Sequence, residues 1–318
     1  MSTSPHIWNK DLEVILNTEV SAGRFTPGLA KILSYAFYKI PYIKGSSRVY
    51  RMIFDALPKR NTVLKHILGF KWLVLSSESL WTYIVSCEKY TTKMLLKELV
   101  GAKTFICVGA NFGWYPLVAA SFGKSLNIVG FECNSKVRDV FSRNVELNSL
   151  DIQVSDFAIS DSEGILNLYK PKISNDGMST LFPKDKSVSE VDFVEEVKTT
   201  TLDTYFKNEM NKSGKIVILM DIEGSEMRAL KGAFKVFSEK RPVLIAEINP
   251  AMLLASGHDY LELFRYLSLL DYESFWIDER GKLVNVEDPV NLPHLKLLPV
   301  GTGANYLFRP LQNETNEN

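Results

Sequence analysis

From Ala102 onward the hydrophobic positions fall into short apolar runs separated by amphipathic stretches, so that a period of two alternates with one of 3.6. Such alternation predicts a parallel α/β sheet with helices packed on it. The apolar runs place strands at Thr104 to Val108, Asn127 to Phe131, Ile152 to Ser155, Ile216 to Asp221, Val243 to Ile248, Ser274 to Asp278 and Asn305 to Arg309. Helices lie between them. Tyr115 to Phe122 has Pro116 in its first turn and Gly123 just past its end. Asn134 or Ser135 can cap the next helix, in which Val137, Val140, Phe141 and Val145 recur on one face. Ser225 to Phe237 carries Met227, Leu230, Phe234 and Phe237, and Asp259 with Glu262 forms a capping-box-like start ahead of Leu263, Leu267 and Leu270.

One stretch breaks the alternation. Gly164 to Thr199 holds two strand-like runs, Ile165 to Tyr169 and Val191 to Val197, around the polar Asn175-Asp176-Gly177-Met178-Ser179. A long irregular connection of this kind reads either as a solvated loop or as a substrate-contacting excursion, in which Ser179 and Thr180 could touch the acceptor. The first 85 residues read as a basic region of short helices, broken at Thr26-Pro27-Gly28, Ile40-Pro41 and Leu57-Pro58, in front of a domain spanning 86–310 and a frayed tail at 311–318.

Composition narrows the class. Hydrophobic residues at 46 % and charged residues at 23 % exclude a disordered, collagen-like or coiled-coil chain. Lys plus Arg equals Asp plus Glu at 37 each, which gives the whole molecule no pull toward nucleic acid. The charge is unevenly spread, with ten Lys or Arg against four Asp or Glu up to Phe70 and 27 against 33 beyond it. That basic segment could face an anionic acceptor, or its aromatic residues could build a homodimer contact. Cys87, Cys107 and Cys133 lie singly, without the spacing of a zinc site or a disulfide framework. No apolar run approaches a membrane span and no signal-peptide pattern opens the chain, so a cytoplasmic setting is expected.

The candidate chemistry begins at Phe105 to Tyr115, a buried-type strand running into a glycine turn and then a helix. Gly109, Ala110, Asn111 and Gly113 predict a nucleotide pocket whose backbone comes close to a ligand, with the free N–H groups of the following helix start facing a carboxylate or phosphate. Glu132, about 20 residues on at the end of the second strand, can accept from both ribose hydroxyls. Past the third strand, Asp156 and Ala158 flank a place for an adenine ring. Asn111 stands where the dinucleotide fingerprint has its middle glycine, which weakens a nicotinamide-oxidoreductase reading.

These segments, together with Thr199-Thr200-Thr201-Leu202-Asp203, Asp221-Ile222-Glu223-Gly224-Ser225-Glu226, Leu230-Lys231-Gly232-Ala233 and Ala246-Glu247-Ile248, resemble the FkbM-type methyltransferase family in the same order. The resemblance implies a Rossmann-like class I methyltransferase with seven strands, the last antiparallel. It also implies S-adenosylmethionine as cofactor and a hydroxyl of a sugar or glycan as acceptor. Glu88 matches an acidic position upstream of the family's glycine loop and is expected to line the cofactor pocket. Cys107 stands where the family has Asp, which motivates a second reading as a non-catalytic, partner-binding subunit.

For the chemistry, strand ends deliver Asp221 and Glu247 side by side, with Glu223 and Glu226 following in the turn. Asp221 and Glu247 could share a proton, one acting as base, or they could hold a hard cation such as Mg²⁺. Glu226 reads as favourable charge in a helix's first turn. His258 is a second base candidate, and no set of histidines is spaced for a metal.

Overall fold

The computed structural model describes residues 62–65, 68–75, 79, 82, 88–123, 125–171, 179–182, 191–207, 213–278, 280–292, 295 and 303–311. The basic helices expected before Pro58, their aromatic dimer face, Cys87, the loop at 175–178 and the tail from 312 lie outside the described residues.

The chain enters as a hairpin, β1 (Thr62–Lys65) and β2 (Lys71–Val74), where short helices were expected. Helix α1 (Lys89–Glu98) leads into β3 (Ala102–Val108), α2 (Trp114–Phe122), β4 (Asn127–Phe131), α3 (Ser135–Leu147) and β5 (Gln153–Ser155). The excursion then builds β6 (Ala158–Ile159), β7 (Gly164–Pro171) and β8 (Val191–Thr200). After α4 (Leu202–Tyr205) the main sheet resumes with β9 (Lys215–Met220), α5 (Glu226–Lys231) and β10 (Val243–Ile248). It closes with α6 (Pro250–Ala255), α7 (Tyr260–Leu269), β11 (Tyr272–Ile277), β12 (Leu283–Asn285) and β13 (Ala304–Pro310).

Eight strands form the main sheet in the order β12-β11-β13-β10-β9-β3-β4-β5. The five from β10 to β5 run parallel, and β13 is antiparallel to both β10 and β11. All seven strands read from the sequence are present, and β12 is an addition. The sheet is buried on both faces: Phe105 and Cys107 of β3 point into one apolar cluster, Ile106 and Val108 into the other. Cys107 is fully buried there, so its site is apolar core packing. The excursion forms its own sheet, order β6-β8-β7, with Leu168 and Val197 at its core.

Two local expectations change. The helix expected over 225–237 ends at Gly232, and a π-helical turn, Val236–Lys240, follows. The carboxylate of Asp203 accepts from the N–H groups of Lys235 and Val236, at 3.0 Å each, and so starts a new turn. Asp259 does cap α7, accepting from Leu261 N at 2.8 Å, but the Glu262 carboxylate turns instead to His258 Nδ1 and Lys231 Nζ.

The hairpin is bound to the main domain by two asparagines four residues apart, Asn144 in the last turn of α3 and Asn148 at its C-cap. Asn148 Oδ1 accepts from Lys71 N and its Nδ2 donates to Lys71 O at 2.7 Å. Asn144 Oδ1 accepts from Leu73 N at 2.7 Å, while its Nδ2 donates to Phe112 O in the glycine loop at 3.0 Å. Trp72 and Phe70 close over Trp114 edge-on, with ring centroids 5.7 and 5.8 Å apart. Asn144→Ala should therefore cost about 2–4 kcal/mol, because it orphans a donor and an acceptor together. Urea unfolding checks this, and a loss below about 0.5 kcal/mol would refute the bridge.

Candidate active site

The carboxyl ends of β3, β4 and β9 open into a cleft of about 680 Å³, its mouth included. Gly109, Asn111 and Glu132 line one side, and Asp221, Ile222, Glu223 and Ser225 another. Phe157, Ala158, Leu168 and Leu181 supply an apolar wall, the last two from the excursion and the segment beside it.

The turn after β3 is held in a left-handed backbone at Gly109 (φ 83°) and Asn111 (φ 50°). The main-chain N–H groups from Gly109 to Gly113 are all used within the protein. Gly109 and Ala110 donate to Phe131 O, Gly113 donates to Ala110 O, Phe112 donates to Asn111 Oδ1, and Asn111 donates to Glu132 Oε2. A pyrophosphate would find no free main-chain donor between Gly109 and Gly113. What the loop offers is shape: a Cβ at Gly109 would overlap the Asp221 carbonyl.

Glu132 also accepts from Asn134 N at 2.9 Å, so each carboxylate oxygen takes one N–H and keeps capacity for another donor. Burial pushes its carboxyl up to about 7, against the two N–H bonds that pull it down.

The three candidate catalytic carboxylates meet at the strand ends. Asp221, Glu223 and Glu247 each present an oxygen within 4.8 Å of the others. Asp221 follows β9 and Glu247 lies in β10, paired in parallel with β9, so adjacent strands set the two side by side. Their carboxyl oxygens lie within 4.8 Å of each other, close enough for the two groups to titrate as a pair. Burial raises all three, Glu223 to about 8, and their mutual charge adds to it for Glu223 and Glu247.

The remaining predicted residues fall in different places. Ala158 lines the cleft; Asp156 is exposed and outside it. Ala110 is buried behind the loop, and Gly113 packs on the Phe141 ring. Glu88 is exposed at the N-terminus of α1, outside the cleft lining, where its Oε2 accepts from Thr91 Oγ1 and from Asn305 Nδ2. Asn305 lies directly across from Glu247 in the β10–β13 pair, which brings Glu88 to the acidic cluster. His258 bonds to Glu262 on α7 and does not line the cleft. Glu226 folds back to accept from Ile222 N and Gly224 N at 3.2 Å each, so it secures the acidic turn. Sequence reasoning missed Phe157, Leu168 and Leu181, because their approach to the glycine loop depends on how the two sheets pack.

A parallel sheet with this order, an antiparallel seventh strand and an acid after the second parallel strand is that of the class I S-adenosylmethionine-dependent methyltransferases. A family model, the methyltransferase FkbM domain, matches residues 108–274, more than half of the chain. The protein belongs to the FkbM methyltransferase family.

Among solved structures, the chain is similar to methyltransferase FkbM from Methylobacillus flagellatus KT, at 16% identity over 65% of this chain and 43% of that one, TM-score 0.40. It thus spans less than half of that protein. An O-methyltransferase from Bacillus cereus in complex with SAH is similar at 9% identity over 88% of this chain and 96% of that one, TM-score 0.41. The ribosomal protein L11 methylase from Lactobacillus delbrueckii subsp. bulgaricus is similar at 11% identity over 70% and 78%, TM-score 0.36. No curated protein matches the chain. No described helix is long and apolar enough to cross a membrane.

Proposed function

We propose that this methyltransferase transfers a methyl group to a hydroxyl of a sugar or glycan. The observation that carries the reading is the carboxylate cluster, with Asp221 and Glu223 lining the cleft and a Glu247 oxygen within 4.8 Å of both. S-adenosylmethionine, when bound, supplies a methyl group on a good leaving group. Gly109 and Asn111 line the cleft that would receive it, Glu132 can accept from ribose hydroxyls, and Phe157, Leu168 and Leu181 exclude water from an apolar ring. Attack by an aliphatic hydroxyl still needs its proton accepted, a service worth about 10²–10⁴-fold. A carboxylate raised toward neutrality by burial and by its neighbours is suited to take that proton at Oδ or Oε. The occupied loop amides speak against a pyrophosphate ligand and so against a nicotinamide dinucleotide.

A second reading rests on the spacing of the same carboxylates, whose oxygens could hold a hard cation such as Mg²⁺ that orients the hydroxyl. One experiment separates the possibilities. The protein is incubated with methyl-labelled cofactor and a panel of sugar nucleotides and cell-envelope glycan fractions, with and without chelator. Label in a glycan that survives chelation is the expected result, and label lost on chelation favours the cation. S-adenosylhomocysteine that binds with no transfer to any fraction would favour a non-catalytic subunit. Glu132→Ala should weaken S-adenosylhomocysteine binding by about 10–100-fold in calorimetry, as expected for lost hydrogen bonds to a charged acceptor. Unchanged affinity would sink the role given to Glu132.

A further inference from the structure

The excursion does more than wall the cleft: in the short segment 179–182, two neighbouring residues are tied to the two polar sides of the cleft. At Ser179, Asn134 Nδ2 donates to its Oγ at 3.2 Å, and Asn134 N donates to Glu132. At the next residue, Thr180 Oγ1 donates to the main-chain oxygen of Glu223 at 2.9 Å. The segment is fixed to β7 by a pair of main-chain bonds between Tyr169 and Thr180, at 2.9 and 3.0 Å. Beyond it the Phe182 ring lies under the Arg228 guanidinium, which pairs with Asp161 at 3.0 Å.

The recipient of the Thr180 bond is unusual. Glu223 has φ 49°, a left-handed backbone that a residue with a side chain keeps only where its surroundings hold it. Two holds are visible. Glu226 takes the N–H groups on either side, from Ile222 and Gly224, and Thr180 takes the carbonyl. Thr180 is 3% exposed, and its hydroxyl also accepts from Phe182 N at 3.2 Å, so it is committed to the backbone rather than turned toward an acceptor.

We propose that Thr180 is a positioning residue for Glu223: its hydroxyl, delivered by the excursion, holds the left-handed turn that sets the Glu223 carboxylate beside Asp221 and Glu247. The inference rests on Glu223 belonging to the catalytic cluster, but the tie can be tested without catalysis.

Thr180→Val keeps the shape and loses the hydroxyl, whereas Thr180→Ser keeps it. Hydrogen exchange is followed in the ligand-free full chain. In Thr180→Val, amides of the peptide covering 221–226 should exchange about tenfold faster while those of β10 stay as in the parent, as for a local opening. Thr180→Ser should return the peptide to within about twofold of the parent. Parent-like exchange in Thr180→Val, equal acceleration in the serine variant, or faster exchange across the whole sheet would each overturn the proposal.

With whichever glycan fraction takes label in the assay above, Thr180→Val should lower kcat by about tenfold or more and leave KM for the cofactor within about twofold, since misplaced groups cost rate. A raised KM at unchanged kcat would also overturn it. Failure of the wild-type protein to bind S-adenosylhomocysteine would strike the proposed function and leave the exchange result standing.

Discussion

Alanine at position 109 is expected to abolish S-adenosylhomocysteine binding and to destabilise the fold by about 4 kcal/mol or more, in the range reserved for severe steric conflicts. Gly109 sits at φ 83°, where an L side chain is strained, and its missing Cβ lies against the carbonyl of Asp221, which is backbone and cannot swing aside. Asp221 N donates to Val108 O at 3.0 Å, so the two strand ends cannot part without breaking the β3–β9 ladder. Whatever moves carries Asp221 with it, and so disturbs its placement beside Glu223 and Glu247. Calorimetry and denaturant unfolding read the two effects separately. Binding within about threefold of the parent would show that the loop has slack the structure does not reveal.

The ligand-free protein should be most stable near pH 5 and should lose stability as the pH rises toward 8. Burial raises Glu132 and Glu226 to about 7 and Glu223 to about 8, and raises Asp221 and Glu247 as well. Between the ordinary carboxylate range and these values the unfolded chain has released protons that the folded chain still holds, so each unit of pH favours unfolding. The stabilising effect is complete below the unfolded value and is lost as pH climbs through the folded one. With about 1.4 kcal/mol per unit for each group, the combined loss is on the order of several kcal/mol. Glu262 acts in the opposite sense, because His258 and Lys231 lower it, but its effect falls below the unfolded carboxylate range. Thermal midpoints across pH 5 to 8 test this, and a midpoint that climbs over that range would contradict it. Glu226→Gln retains an oxygen for Ile222 N and Gly224 N and should flatten the curve.

The main sheet was legible because seven of its eight strands each carry an apolar run bounded by turn residues, and Asn134 was legible as a cap because its side chain acts on its own helix. The pairing of Asp221 with Glu247 followed from strand order alone. What escaped depends on partners far away in sequence. The hairpin at 62–74 is two four-residue strands whose edge is satisfied by Asn144 and Asn148, and nothing near Leu73 announces this. The break after Gly232 comes from Asp203, about 30 residues earlier, taking N–H groups that a continuing helix would have used. Glu226 reads as surface charge until its carboxylate is seen folded under the turn.

The amide of Asn144 reaches an N-terminal strand with one hand and the cofactor loop with the other. Neither can be released without stranding polar groups of the other in an apolar setting, which ties their fates on unfolding. Heat or denaturant should thus remove the hairpin and the ligand loop in a single step, and probes at Trp72 and Trp114 should trace one coincident transition.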